Sequence, residues 1–251
     1  MSQPANMTIP ANRFVRPAAI IAAALVLGAC ASGRQPGVSS DPRFQMGDAG
    51  AIARARADSL RYPYTKADID FMSGMIHHHA QAITISRWAP THGASASVQR
   101  LTARIINAQT DEINIMQTWL KDRLQPIPVV DSLGQVTMQG AMAGMSHDAH
   151  AGHGGATNAH GQMEMPGMLT AAQLAELDGA RGADFDRLFL TYMIQHHRGA
   201  VTMVKVLFNA PGAGQDETIF KFANDVEVDQ GTEIKRMMSM MLDMGFVPPS
   251  E

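Results

Sequence analysis

Asp68-Ile-Asp-Phe-Met-Ser-Gly-Met-Ile-His-His-His-Ala-Gln-Ala82 returns 118 residues later as Asp186-Arg-Leu-Phe-Leu-Thr-Tyr-Met-Ile-Gln-His-His-Arg-Gly-Ala200. The alignment pairs Phe71 with Phe189, Met75 with Met193, Ile76 with Ile194, His78 with His196 and His79 with His197. A second match follows at an offset of 121, where Gln109-x-x-Glu112-Ile113-x-x-Met116 meets Gln230-x-x-Glu233-Ile234-x-x-Met237. Each repeat is thus a His-bearing segment followed by a Gln/Glu/Met-bearing one. A repeat of this kind sets the fold before any local detail does.

All four segments read as helices. Ile69, Met72, Ile76 and Ile83 follow the spacing of an amphipathic helix. Thr65-x-x-Asp68 and Thr170-x-x-Gln173 have the form of helix-capping boxes. Pro90 and Gly93 end the first helix, and Pro211 through Gly214 end the third. The second runs from about Ser95 to Leu124, stopped by Pro126 and Pro128; the fourth runs from about Asp216 to Met244, stopped by Gly245 and Pro248. Residues 170–182 suggest a short extra helix, and no strand-like alternation of useful length appears. Two helical hairpins, each with an apolar face, bury those faces by pairing. The expected class is all-α: a four-helix bundle built from repeats at 61–125 and 170–247 that form one domain.

The N-terminus reads as an export signal. Arg13 and Arg16 precede an apolar run from Ala18 to Ala29, too short to span a bilayer. Val26-Leu27-Gly28-Ala29-Cys30 resembles a bacterial lipobox. Residues 1–29 are therefore expected to be a lipoprotein signal peptide, with Cys30 the lipidated first residue of the mature chain. Residues 30–60, rich in Gly, Ser, Pro, Ala and Arg, read as a flexible tether. The chain is expected to be anchored to a bacterial membrane by lipid alone, facing the periplasm or the cell surface.

Composition removes several classes of function. The 251 residues carry a net charge of −3, without the clustered Lys and Arg of a nucleic-acid binder. A single cysteine excludes a disulfide framework, a zinc ribbon and a redox Cys pair within the chain. Aromatic residues at 6% argue against a large sugar or nucleotide cleft. Against that background stand 19 Met and 10 His, whose thioether and imidazole donors suit copper.

Those donors fall in two places. Met75 and His79 share one helix face, as do Met193 and His197; Met72 extends the first face, and Met203 lies two turns beyond His196. These residues, with His78, are the candidate metal ligands of the helices. Glu112 and Glu233 are candidates to orient a ligand imidazole, or to make a purely structural contact with it. The second place is the insert at 126–169. Its Met138–Met168 stretch holds six Met, four His and seven Gly, with no Lys or Arg. Too few large apolar residues are present to build a core, so this segment is expected to be disordered without metal. Its candidate ligands are Met142, Met145, His147, His150, His153, His160, Met163, Met165 and Met168.

Enzyme motifs are missing. There is no Gly-x-Ser-x-Gly, phosphate loop or His-Glu-x-x-His, and neither Glu112 nor Glu233 is followed by His three residues on. A di-iron site of four carboxylates and two Glu-x-x-His motifs is therefore poorly supported.

The doubled Phe71-Met-x-x-Met-Ile-x-His-His79 and Phe189-x-x-x-Met-Ile-x-His-His197 pattern, with Gln109-x-x-Glu112 and Gln230-x-x-Glu233, resembles the family called domain of unknown function 305. The resemblance covers about residues 60–125 and 170–246. It implies a ferritin-like helical bundle, export, and an association with copper binding and copper tolerance. It also implies Met75, His78, His79, Met193, His196 and His197 as the ligand set. The insert is similar in composition to the Met/His-rich segments of periplasmic copper-resistance proteins. Two departures make the halves unequal: His77 stands opposite Gln195, and Ile85 opposite Met203.

The expectation is a lipoprotein that binds and buffers Cu(I) or Cu(II), with silver as a mimic, and that passes copper to an efflux or transfer partner. No catalytic residue and no nucleic-acid partner are expected. Its rivals are a ferritin-like metal-dependent oxidase and a stress adaptor whose His pairs are structural.

Overall fold

The computed structural model describes residues 46–61, 63–132, 134–139 and 165–250. The signal peptide, Cys30, and Met142, Met145, His147, His150, His153, His160 and Met163 of the insert lie outside the described residues. Six helices and a two-stranded sheet follow in chain order: α1 (Gly47–Arg61), α2 (Lys66–Ser86), α3 (Ala96–Asp122), β1 (Ile127–Val130), β2 (Val136–Gln139), α4 (Ala171–Gly179), α5 (Gly182–Asn209) and α6 (Glu217–Asp243).

The four long helices match the repeat. α2 packs on α3, α5 packs on α6, and the two pairs meet along α2 and α5. Two apolar clusters show their direction. Phe71, Met72 and Met75 of α2 cluster with Val204 and Leu207 of α5, whereas Ala82 and Ile85 cluster with Phe185, Phe189 and Met193. The start of each helix therefore lies beside the end of the other, so α2 and α5 are antiparallel.

Helix ends form where local chemistry requires them. Thr65 caps α2 in a full capping box with Asp68, and Thr170 caps α4 in the same way with Gln173. α2 stops at Ser86, because Pro90 has no N–H to continue the ladder. The chain then turns through Gly93 at φ +70°, a conformation that costs glycine little. The two repeats also hold each other at their turns. Asp68 of α2 accepts the backbone N–H of Gly214 before α6, at 2.7 Å. Its repeat mate Asp186 of α5 accepts the N–H of Ser95 before α3, at 3.1 and 3.2 Å. Both carboxylates are buried. Burying a carboxylate is unfavourable unless it is bonded, and these bonds join one hairpin to the other.

Two expectations need correction. The tether was expected to run flexibly to residue 60, but residues 47–61 form α1. Ala51, Ala53, Ala55, Ala57 and the arginines among them are strong helix formers, which a compositional reading takes for linker. α1 packs on α3, with Ala55 buried and Asp48 paired to Lys121 at 3.0 Å. The insert, expected to lack structure from 126 to 169, begins with the antiparallel hairpin β1–β2, in which Ile127 pairs Gln139 and Val130 pairs Val136. Strand β1 lies against α2 and α3, where Gln117 Nε2 donates to the Pro128 carbonyl at 2.8 Å. Four residues are too few to show a period in sequence, and contact with the helices decides their conformation. The insert ends in an ordered stretch, Met165–Leu169, which docks on α2 and α5.

Candidate metal centre

His78 and His79 of α2 meet His196 and His197 of α5 where the two helices pack, and all four are fully buried. The His78 and His196 rings lie 3.7 Å apart between centroids, tilted by 38°. The outer two rings diverge, as adjacent helix positions must. His79 Nε2 donates to Glu112 Oε2 of α3 at 2.5 Å, and His197 Nε2 donates to Glu233 Oε2 of α6 at 2.8 Å. The two halves thus build the same imidazole–carboxylate pair on opposite sides of one His–His contact. His78 Nε2 donates to the Pro166 carbonyl at 3.0 Å.

These partners determine where the lone pairs are. A carbonyl or carboxylate oxygen accepts, so the Nε2 atoms of His78, His79 and His197 carry the donated protons. In the neutral ring the lone pair then sits on Nδ1. All three Nδ1 atoms are buried without a hydrogen-bond partner, and both ring nitrogens of His196 share that condition. The His78 backbone lies close enough to temper the effect of burial on the His196 ring without making a bond of normal geometry. An unsatisfied buried polar group costs roughly 1–3 kcal/mol, so five in one place need an explanation. A carboxylate on one nitrogen and a free lone pair on the other is how proteins orient a metal-ligating histidine.

Burial keeps the inner rings uncharged. The His78 pKa is lowered to about 3, first by desolvation and then by His79 and His197, against the Pro166 bond that raises it. His196 is pushed well below the ordinary range by desolvation and then by His78. Neutral imidazole is the form that binds metal, so protons do not compete near neutral pH. The shift also sets a pH dependence. An unfolded histidine binds a proton below its ordinary value near 6.5, while folded His78 binds one only near pH 3. Between these limits the unfolded state holds more protons, so stability rises with pH. It is fully present above pH 7 and declines as pH falls from 6.5, by up to about 1.4 kcal/mol per unit for each histidine. Urea midpoints of the metal-free protein should therefore drop between pH 7.5 and pH 5. A loss beginning only below pH 4 would assign the acid sensitivity to carboxylates instead.

The candidate methionines among the described residues separate into three groups. Met72 and Met75 are fully buried in the apolar cluster beside one face of the histidine layer, and Met193 is fully buried in the other. Met203 is partly buried, and with Met165 it sits over Gly74. Met168 is half-buried in the docked stretch, its N–H bonded to the Met165 carbonyl. Among the described residues, no group of three or more His, Cys, Asp or Glu is arranged to hold a metal ion. A set closed by carboxylates and imidazoles is thus not preformed there, and thioether sulfur is the further donor type at hand.

Three features escaped the sequence reading. Gln109 and Gln230, the repeat-matched glutamines one turn before Glu112 and Glu233, are buried with amide atoms left unpartnered. Their place in the repeat was the signal that could have found them. Gly199 is the second: a Cβ there would stand 2.0 Å from the Pro166 oxygen, so glycine lets the docked stretch reach α5. The third is the carbonyl bonded to His78, which no side-chain pattern encodes. Conversely, His77 stays apart from the cluster and bonds the Ser73 carbonyl at 2.9 Å.

Two matched helical hairpins that bury four imidazoles with free lone pairs at their junction define a helical protein with a candidate metal centre. Residues 68–241 match the family model described as Domain of unknown function (DUF305), and the chain belongs to that family. A DUF305 protein of Streptomyces coelicolor is similar in structure, at 23% identity and a TM-score of 0.54 over 74% of this chain and 98% of its own. CopM in its Cu(I)-bound form is 24% identical, with a TM-score of 0.48 over 70% of this chain and 96% of its own. An uncharacterized protein of Acanthamoeba polyphaga mimivirus is 39% identical over 62 residues, 24% of this chain. The matched region spans 41% of the length of that relative. Among the described residues, no helix is long and apolar enough to cross a membrane.

Proposed function

We propose that this DUF305 protein sequesters and buffers copper through histidine and methionine ligands, as an exported lipoprotein held by a lipid on Cys30. The carrying observation is the set of five buried, unpartnered imidazole nitrogens on His78, His79, His196 and His197. Three of these rings are already oriented by a carboxylate or carbonyl on the opposite nitrogen. Imidazole accommodates Cu(II) and thioether favours Cu(I), so a mixed set holds either state and admits Ag(I) as a mimic. The long helices α2, α3, α5 and α6 are read as one ferritin-like four-helix bundle, with the histidine layer at its middle. The Met/His-rich segment before Met165 captures further ions, and a copper efflux or transfer partner receives them.

Storage is favoured over turnover by the placement of the carboxylates. Glu112 and Glu233 hold imidazoles, whereas a di-iron oxidase would present carboxylates to the metals. An anaerobic Cu(I) titration against a competing chelator tests the reading. The lipid-free chain from Ala31 is compared with one lacking residues 138–164 and with one carrying Leu at all four histidines. Tight binding should survive the deletion and be lost in the histidine variant. Binding lost with the deletion and unchanged by the histidine substitutions would make those histidines structural.

A further inference from the structure

The docked stretch Met165–Leu169 is a strap across the junction of α2 and α5. Both polar atoms of the Gln81 side chain bind Leu169, its Nε2 donating to the carbonyl at 3.1 Å and its Oε1 accepting the N–H at 2.8 Å. Gln195 Nε2 donates to the Gly167 carbonyl at 3.4 Å, and His78 holds the Pro166 carbonyl. Gly167, at φ +76°, lies against Gly199, so backbone touches backbone where any side chain would intrude. Beyond the strap is an open hollow of about 390 Å³, lined by Pro166, Gly167, Gln195, Gly199, Thr202 and Pro249. Pro166 therefore faces the hollow while its carbonyl bonds a fully buried histidine.

At the leading end of this strap, Met165 meets Met203 of α5. A Cβ placed on Gly74 of α2 would stand 3.5 Å from the Met165 Sδ and 3.4 Å from the Met203 methyl carbon. Both side chains end against the same point on α2, Met165 with its sulfur and Met203 with the methyl carbon next to its sulfur. Met203 is also one of the two departures from the repeat, standing where the first half has Ile85. Ile85 is fully buried, whereas Met203 is only partly so, which leaves its thioether at the edge of the core.

We propose that Met165 and Met203 form a thioether site for a soft monovalent ion, Cu(I) or Ag(I), separate from the histidine layer and complete only while the strap is docked. This rests on the reading of the chain as a copper binder and gives that reading an outer station beside the buried one. Thioether sulfur selects soft ions and carries no proton, so binding displaces none. Methionine adapts its three torsions to an arriving ion at small cost. In sequence the strap follows directly on the Met/His-rich segment, and in space its Pro166 carbonyl bonds His78.

The test uses the full chain with ¹³C-labelled methionine methyl groups and stepwise addition of Ag(I), which is diamagnetic. Met165→Leu and Met203→Leu assign the two resonances. Both should shift over the same range of Ag(I), and removing either should weaken the response of the other by about 100-fold, as for donors that act as a pair. Gly199→Ala forces the strap off α5 while both sulfurs remain, and it should uncouple the two responses. Gln81→Leu removes both bonds to Leu169 and reaches the same end should the first variant fold poorly. A Met203 response unchanged in Met165→Leu, or two methyls unmoved by Ag(I), would overturn the proposal. Failure of the histidine reading shows separately, as ring resonances of His78 and His196 that ignore the ion.

Discussion

His196→Leu should give a metal-free protein that is more stable than the parent and a holo-protein that binds copper at least about 100-fold more weakly. Both effects come from the same two atoms. His196 is fully buried, and neither of its ring nitrogens has a hydrogen-bond partner. Leucine has a comparable volume and no polar atom to leave unsatisfied. Replacing such a group with a well-packed apolar one recovers roughly 1–3 kcal/mol. The neighbours suit it, since Met193 and Ala200, one turn to either side on α5, are themselves buried in apolar clusters. The affinity falls because a ligand is gone, and losing even an outer-shell partner typically costs 10–100-fold. Chemical denaturation and a Cu(I) competition titration on one preparation measure the two effects together. A variant that is less stable yet binds copper as before would show that His196 serves the fold. Stability given up at a site in exchange for function is a common pattern, and its reversal by one substitution is diagnostic.

Asp216→Ala should produce the largest loss of stability, about 3–5 kcal/mol, because it leaves a buried guanidinium without its counter-charge. Asp216 and Arg123 are both nearly inaccessible and pair through Oδ2 and Nη2 at 2.5 Å. The other oxygen, Oδ1, accepts Trp119 Nε1 at 3.1 Å and caps α6 by accepting the N–H groups of Thr218 and Ile219. Arg123 lies over the Trp119 ring at 4.3 Å and near Tyr64 at 5.6 Å. One carboxylate therefore ties the end of α3 to the start of α6. For a chain of this size the loss corresponds to roughly 10 °C or more in Tm. Asp216→Asn keeps an oxygen for the cap, worth about 1 kcal/mol, and loses the charge, so it should fall between parent and alanine variant. Equal losses in the two variants would make the charge the whole effect. A Tm unchanged by Asp216→Ala would refute the account of this junction. Copper binding should persist in the folded fraction, since Asp216 bonds none of the centre's residues.

Much of the fold is legible in the repeat. Each copy places apolar residues at helical spacing, and each helix carries its own stop in Pro or Gly, so element type and order follow from local rules. The histidine layer is legible in part: the doubled motif marks both helices, and the antiparallel packing of α2 on α5 is what brings the two copies together. Composition misleads at α1, whose helix propensity is high, and local rules fail at β1. An Ala/Arg stretch reads as linker until α3 gives it a surface to bury against, and Ile127–Val130 becomes a strand once α2 and α3 support it.

The residue sequence by itself determined the two repeated hairpins, the correspondence of His78 and His196 within the repeat, and the imidazole and thioether chemistry the chain can offer; the contact between those two rings is tertiary. Only the tertiary structure decided which nitrogen of each histidine is held and which is free. That choice depends on acceptors more than thirty residues away, in Glu112, Glu233 and the Pro166 carbonyl. The strap was equally out of reach. Its place on α2 and α5 depends on the absence of a side chain at Gly199, and a missing atom has meaning only when its neighbour in space is known.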